Sequence, residues 1–155
     1  MEVVITKVDE RLIHGQLIKT WYTANDISHI LIADSELVED VFMTNVYKSL
    51  APLSLRVEVL TTEGVMRYLQ EHAGEDGRIL LLARTLAPIV ELTEAGFRPH
   101  QIIMADRKYF PNKISISDED KQCINLLNAL GISIVAQEFP DDKPIAVLPF
   151  ELDRR

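Results

Sequence analysis

At 155 residues, with one cysteine and a formal net charge of −8, the chain is long enough to bury a substantial core without disulfides or metal clips. The acidic balance excludes a nucleic-acid binder that works through a broad basic face. No run approaches the length needed to span a bilayer, and no charged segment followed by an apolar one opens the chain, so a cytoplasmic protein is expected.

In chain order, apolar β-branched runs alternate with stretches of helical spacing. Residues 3–8 predict a first strand and 16–24 a first helix; residues 30–33 predict a second strand, followed by a helix over 36–50 that Pro52 stops. A strand over 55–60, a helix over 63–72, a strand over 79–83, a helix over 88–95 and a strand over 102–104 follow. The helix over 118–130 opens with a capping signal, Ser117 before Asp120, and a strand over 132–135 succeeds it. Gly96 and Gly131 stand where C-terminal caps belong. Cys123 falls within the last of these helices and reads as a buried structural thiol. Strands that are apolar throughout, rather than alternating, belong to a sheet covered on both faces. The expected fold is therefore α/β: an open, mostly parallel, doubly wound sheet with helices on both faces, in one domain. The tail over 145–150 reads as an edge strand, or as an arm packing on a second copy of the chain in a homodimer.

The junction of the first strand and first helix, Val8-Asp9-Glu10-Arg11-Leu12-Ile13-His14-Gly15-Gln16, gathers complementary chemistry. In a sheet of this class ligands bind beyond the carboxyl ends of the strands, where a helix start offers unpaired N–H groups to an anion. His14 supplies an imidazole that is largely neutral near pH 7, Arg11 a permanent planar cation that forks onto phosphate oxygens, and Asp9 a carboxylate able to orient either. Gly15 leaves room for an incoming phosphoryl donor and tolerates the tight backbone expected at such a turn; the N–H groups of Gly15 and Gln16 would receive the phosphate. A hydrogen-bonded surface turn is the plainer alternative.

The segment KVDERLIHGQLIKTW resembles the signature of the IIB subunits of the mannose/fructose/sorbose family of the bacterial phosphotransferase system. Weaker similarity extends over residues 1–142, through HILIADSELVED, the Lys48-to-Pro52 stretch, Arg78 to Arg84 and SISDEDKQCINLLNALGISIVAQEFPDD. The resemblance implies that His14 is phosphorylated by a IIA phosphohistidine, with Arg11 and Asp9 as its catalytic companions, and that the group passes to a sugar taken up through a IIC/IID membrane complex. One stretch departs from the pattern. Met104-Ala105-Asp106-Arg107-Lys108-Tyr109-Phe110 stands where the family usually carries a Gly-Gly-Met or Gly-Asn-Met turn, which alters one wall of the expected site. The alternative reading is accordingly a regulatory phosphoacceptor, or a phosphometabolite-binding module, that has lost transport.

Arg84 and Arg107, at or after strand ends, are further phosphate-binding candidates, with scattered solvated cations as the alternative. His29, His72 and His100 read as structural or surface residues, because none pairs with a second ligand at metal spacing. Neither a GxxxxGK[ST] loop nor a GxGxxG turn is present, so no nucleotide cofactor and no metal are expected, and the phosphoryl donor would be another protein.

Overall fold

A computed structural model of the chain describes residues 1–105 and 116–151. Arg107, and with it the unusual stretch from Asp106 onward, lies outside the described residues.

Seven strands form one sheet in the order β3-β2-β4-β1-β5-β6-β7. The first six, β1 (Glu2–Val8), β2 (His29–Ala33), β3 (Arg56–Leu60), β4 (Arg78–Ala83), β5 (Gln101–Met104) and β6 (Ser133–Ala136), pair in parallel; β7 (Ile145–Ala146) runs antiparallel to β6 at the edge. The central strands β4 and β1 have five and four consecutive buried positions respectively, as a sheet covered on both faces requires.

Two apolar layers sandwich it. On one face, α1 (Gly15–Leu17), which runs directly into a π-helical turn (Ile18–Tyr22), and α2 (Val41–Ser49) bring Leu17, Trp21, Met43 and Tyr47 against Ile5, Ile30, Ile32, Leu80 and Leu82. On the other, α3 (Thr62–Glu71), α4 (Ala87–Glu94) and α5 (Asp118–Ala129) bring Val65, Ile89, Leu92, Ile124 and Leu127 against Leu31, Ile79, Leu81 and Ile102. The doubly wound fold expected from the sequence is the one observed.

Most boundaries follow from caps. Ser117 accepts from the Asp120 N–H at 3.0 Å and opens α5; Thr61 does the same for Gly64 at the start of α3. At Gly131 the backbone turns left-handed (φ 80°), and the N–H of Ile132 closes back on the carbonyl of Leu127 at 3.0 Å. The helix expected over 36–50 is broken in two. A short 3-10 turn (Leu37–Glu39) ends at Asp40, whose carboxylate accepts from the Met43 N–H at 3.0 Å and starts α2 afresh. An aspartate at that position serves better as an N-cap than as a mid-helix residue.

The tail resolves to a two-residue edge strand and then an extended segment held by its own chain. Val147 donates to Ile134 across the sheet edge, and the side-chain amide of Asn125 on α5 brackets the Phe150 backbone, donating to its carbonyl at 2.8 Å and accepting from its N–H at 2.7 Å. Cys123 is buried, and burial, followed by the nearby Asp120 and Glu119, pushes its thiol up.

Candidate functional site

Neighbouring strands β1 and β5 send their following helices to opposite faces, so a crevice opens beyond their carboxyl ends. Asp9 lies at this point, one residue past β1. Its N–H donates to the Ala83 carbonyl at 2.9 Å, while the Ala105 N–H donates to the Val8 carbonyl at 3.0 Å, so three strand ends fix its backbone. The chain then turns sharply. Leu12 donates to the Asp9 carbonyl at 3.0 Å and adopts a left-handed backbone (φ 55°), a conformation a leucine takes only when its side chain is otherwise held; here that side chain is fully buried. The tight backbone expected at Gly15 is thus found three residues earlier. At Gly15 a Cβ would meet nothing within 4 Å, which leaves the room for a donor as that residue's contribution.

The Asp9 carboxylate, 2 % exposed, is the hub. Arg11 grips it twice, Nε to Oδ1 at 2.9 Å and Nη2 to Oδ2 at 2.8 Å, and its own N–H donates to Oδ1 at 3.0 Å. His14 Nε2 meets Oδ2 at 3.0 Å, and Lys7 Nζ donates to the same oxygen at 3.2 Å. Asp9 therefore orients both of the residues for which it was a candidate. Burial alone would raise its pKa, but the Arg11 guanidinium, the Lys7 charge and the remaining donors outweigh that and hold the carboxyl well below the usual range. An ionised carboxylate only accepts, so Nε2 carries the imidazole proton and Nδ1 is left with its lone pair. Burial, the largest influence, pulls the His14 pKa below its ordinary 6.5 against the opposing pull of Asp9, so the ring is neutral at pH 7.

Two participants escaped the sequence reading. Lys7 is 1 % exposed next to the carboxyl end of β1, with its ammonium 5.5 Å from the centre of the Trp21 ring; burial depresses its pKa, Asp9 opposing. A single cation inside an apolar strand two residues before an aspartate was the available signal. The other is Glu138, two residues past β6, for which no local signal exists. Its Oε1 accepts from the Gln16 amide at 2.9 Å and from Arg11 Nη2 at 3.4 Å, and its backbone carbonyl accepts from Trp21 Nε1 at 3.1 Å. Around the π-helical turn that positions Trp21, side chains bond back to carbonyls four residues earlier, Thr20 to Gln16 at 2.7 Å and Asn25 to Trp21 at 2.9 Å, a pattern that bends a helix.

Of the sequence candidates, the structure brings together Asp9, Arg11, His14, Gly15 and Gln16. Arg84 sits past β4 and pairs with Asp34 at 3.5 Å, in a separate cleft of about 280 Å³ that Thr62, Pro88 and Glu91 also line. The remaining histidines stand apart: His29 bonds Ser28, and His72 bonds Glu75. Among the described residues no group of three or more His, Cys, Asp or Glu side chains could hold a metal ion, and no helix is long and apolar enough to cross a membrane.

Fold and site together define a doubly wound α/β domain presenting a neutral, carboxylate-anchored histidine at the crevice of its sheet. The model of the PTS system sorbose subfamily IIB component matches residues 3–153, and the chain belongs to that family of sugar phosphotransferase components. It is 20 % identical over 148 residues to the PTS system fructose-specific EIIB component of Bacillus subtilis, covering 92 % of this chain and 91 % of that one. It is 22 % identical over 156 residues to the PTS system mannose-specific EIIAB component of Escherichia coli, covering 96 % of this chain but 48 % of that protein. The crystal structure of the IIBSor domain of the sorbose permease from Klebsiella pneumoniae superposes with a TM-score of 0.84 at 18 % identity, over 94 % of this chain and 93 % of that one.

Proposed function

We propose that the protein is a cytoplasmic phosphocarrier that accepts a phosphoryl group on His14 Nδ1 from the phosphohistidine of a IIA protein and passes it to a sugar entering through a IIC/IID membrane complex. The observation that carries this reading is the 3.0 Å contact between His14 Nε2 and the buried Asp9 carboxylate. It leaves Nδ1 as the nucleophile. The Nδ1 lone pair forms the new N–P bond as the donor's N–P bond breaks and its electron pair returns to the donor imidazole, while Nε2 keeps its proton throughout.

Phosphoryl transfer asks for positioning and charge stabilisation more than covalent help. Arg11 suits that task. Its Nε and Nη2 bonds to Asp9 aim the guanidinium, and the second Nη2 hydrogen, held only at 3.4 Å by Glu138, can turn to phosphoryl oxygens. Gly15 and Gln16 begin the helix with N–H groups that lack intrahelical partners.

The test is incubation with phosphoenolpyruvate, the general phosphotransfer enzymes and the IIA portion of a mannose-type relative, read by intact mass. Wild type should gain one acid-labile phosphoryl group and His14→Ala none, and phosphorus NMR should assign it to Nδ1. A wild type that stays unmodified, or an adduct that survives in His14→Ala, overturns the reading.

A further inference from the structure

We infer that Glu138 is a positioning residue that keeps the phosphoryl group on His14 transferable, by competing with it for Arg11 and Gln16. The inference rests on the phosphocarrier reading and adds to it a residue that sets how tightly the cargo is held.

Three observations carry it. First, Glu138 engages the two side chains beside His14 that could serve an arriving phosphate: the Gln16 amide at 2.9 Å and Arg11 Nη2 at 3.4 Å. The second contact is long for a charge-assisted bond, so it is readily exchanged, whereas the 2.8 and 2.9 Å bonds from Arg11 to Asp9 are firm. Second, Glu138 Oε2 is buried and has no hydrogen-bond partner among the described residues. A carboxylate retained only to lock a turn would have both oxygens satisfied, since each buried unpaired oxygen is costly. Third, the backbone around Glu138 is pinned. Gln137 donates from its backbone to Met104 at 3.0 Å, its amide donates to the carbonyls of Phe139, Pro140 and Asp142, and Trp21 holds the Glu138 carbonyl. A second anion arriving at Arg11 and Gln16 therefore meets a carboxylate whose backbone is fixed.

Among the described residues around Asp9, the cations Lys7 and Arg11 face the carboxylates of Asp9 and Glu138, with His14 neutral. A phosphoryl group adds negative charge beside the Glu138 carboxylate. Stabilising the loaded state less than the transfer state is what a carrier requires, because a cargo held as firmly as two free donors allow would not leave. During transfer the N–P bond to His14 Nδ1 breaks and the phosphoryl group moves to its acceptor, and Arg11 Nη2 and the Gln16 amide return to Glu138.

Potassium phosphoramidate, a small N–P donor that needs no partner protein, supplies the test. Wild type, Glu138→Gln and Glu138→Ala are loaded, and the appearance and hydrolytic loss of phospho-His14 are followed by phosphorus NMR at pH 7. Both variants remove the charge and release Arg11, so the half-life of phospho-His14 should lengthen roughly tenfold. A structural role predicts the opposite sign, with poorer loading and faster loss. If either folded variant loses phosphate as fast as wild type, or faster, the inference is overturned while the phosphocarrier reading stands. If wild type takes up no phosphoryl group at all, both fall.

Discussion

Asp9 is the residue on which the site's electrostatics converge, and the order of damage among its neighbours follows from burial. Removing its charge leaves Lys7, 1 % exposed, with an unpaired ammonium beside Arg11. Asp9→Asn should therefore cost about 3–5 kcal/mol of stability in denaturant unfolding, the range for breaking a buried ion pair from one side. Lys7→Met should cost clearly less, because Asp9 retains Arg11 and His14, and Lys7→Met in the Asp9→Asn background should restore part of the loss. Equal costs for the two single changes would remove Asp9 from its place as the hub. The pH dependence has a definite sign. Because the folded His14 pKa lies below 6.5, its contribution to stability is present above that value and fades as pH falls through the folded pKa. Asp9, lowered further, acts the same way in a window that starts at the ordinary carboxylate range. Loading of His14 should rise with pH through a midpoint below 6.5 and be flat near neutrality. An imidazole titration by NMR run beside the loading rate checks both, and a midpoint above 6.5 would contradict the burial argument.

At the scale of elements, the start of α1 separates stability from chemistry. Gly15 sits in a first helical turn with open space at its Cβ position, so Gly15→Ala meets no obstacle and gains helix propensity of about 0.5–1 kcal/mol. The same methyl group intrudes on the approach to His14. The variant should be as stable as wild type or more so by thermal unfolding, yet slower to accept a phosphoryl group from a IIA protein; unchanged transfer would show that the donor does not pass over Gly15. Much of this element was legible in the sequence, since a strand, a turn rich in polar residues and an amphipathic run announce themselves locally. Its internal geometry was not. The left-handed residue is Leu12, held by burial of its side chain, and the π-helical turn is set by side chains that bond back to carbonyls and by a tryptophan reaching a residue 117 positions away. Asp40 shows the converse: its capping preference was readable, and it outweighed the apolar spacing that suggested one unbroken helix.

Across the whole molecule, the doubly wound order followed from alternation of strands and helices, but the composition of the site depended on which strand ends the sheet placed side by side. Glu138 comes within reach of Arg11 across 127 residues because β6 lies beyond β5, and no local pattern announces that meeting. The same topology keeps the far side of the domain independent of the site. Asn125, on α5, fastens the tail at Phe150 with a reciprocal pair of hydrogen bonds, while Val147 lies in the core cluster of that face. Asn125→Ala removes both bonds and leaves two partly buried backbone groups unpaired, a loss of about 1–3 kcal/mol. In a chain of this size that lowers the thermal midpoint by roughly 2–4 °C per kcal/mol. Phospho-His14 should nevertheless form and decay at the wild-type rate in the folded variant, because the lost bonds join α5 to Phe150, past the residues of the tail that pair with β6. A loading rate that falls together with the melting temperature would mean that the tail braces β6 and, through it, the position of Glu138.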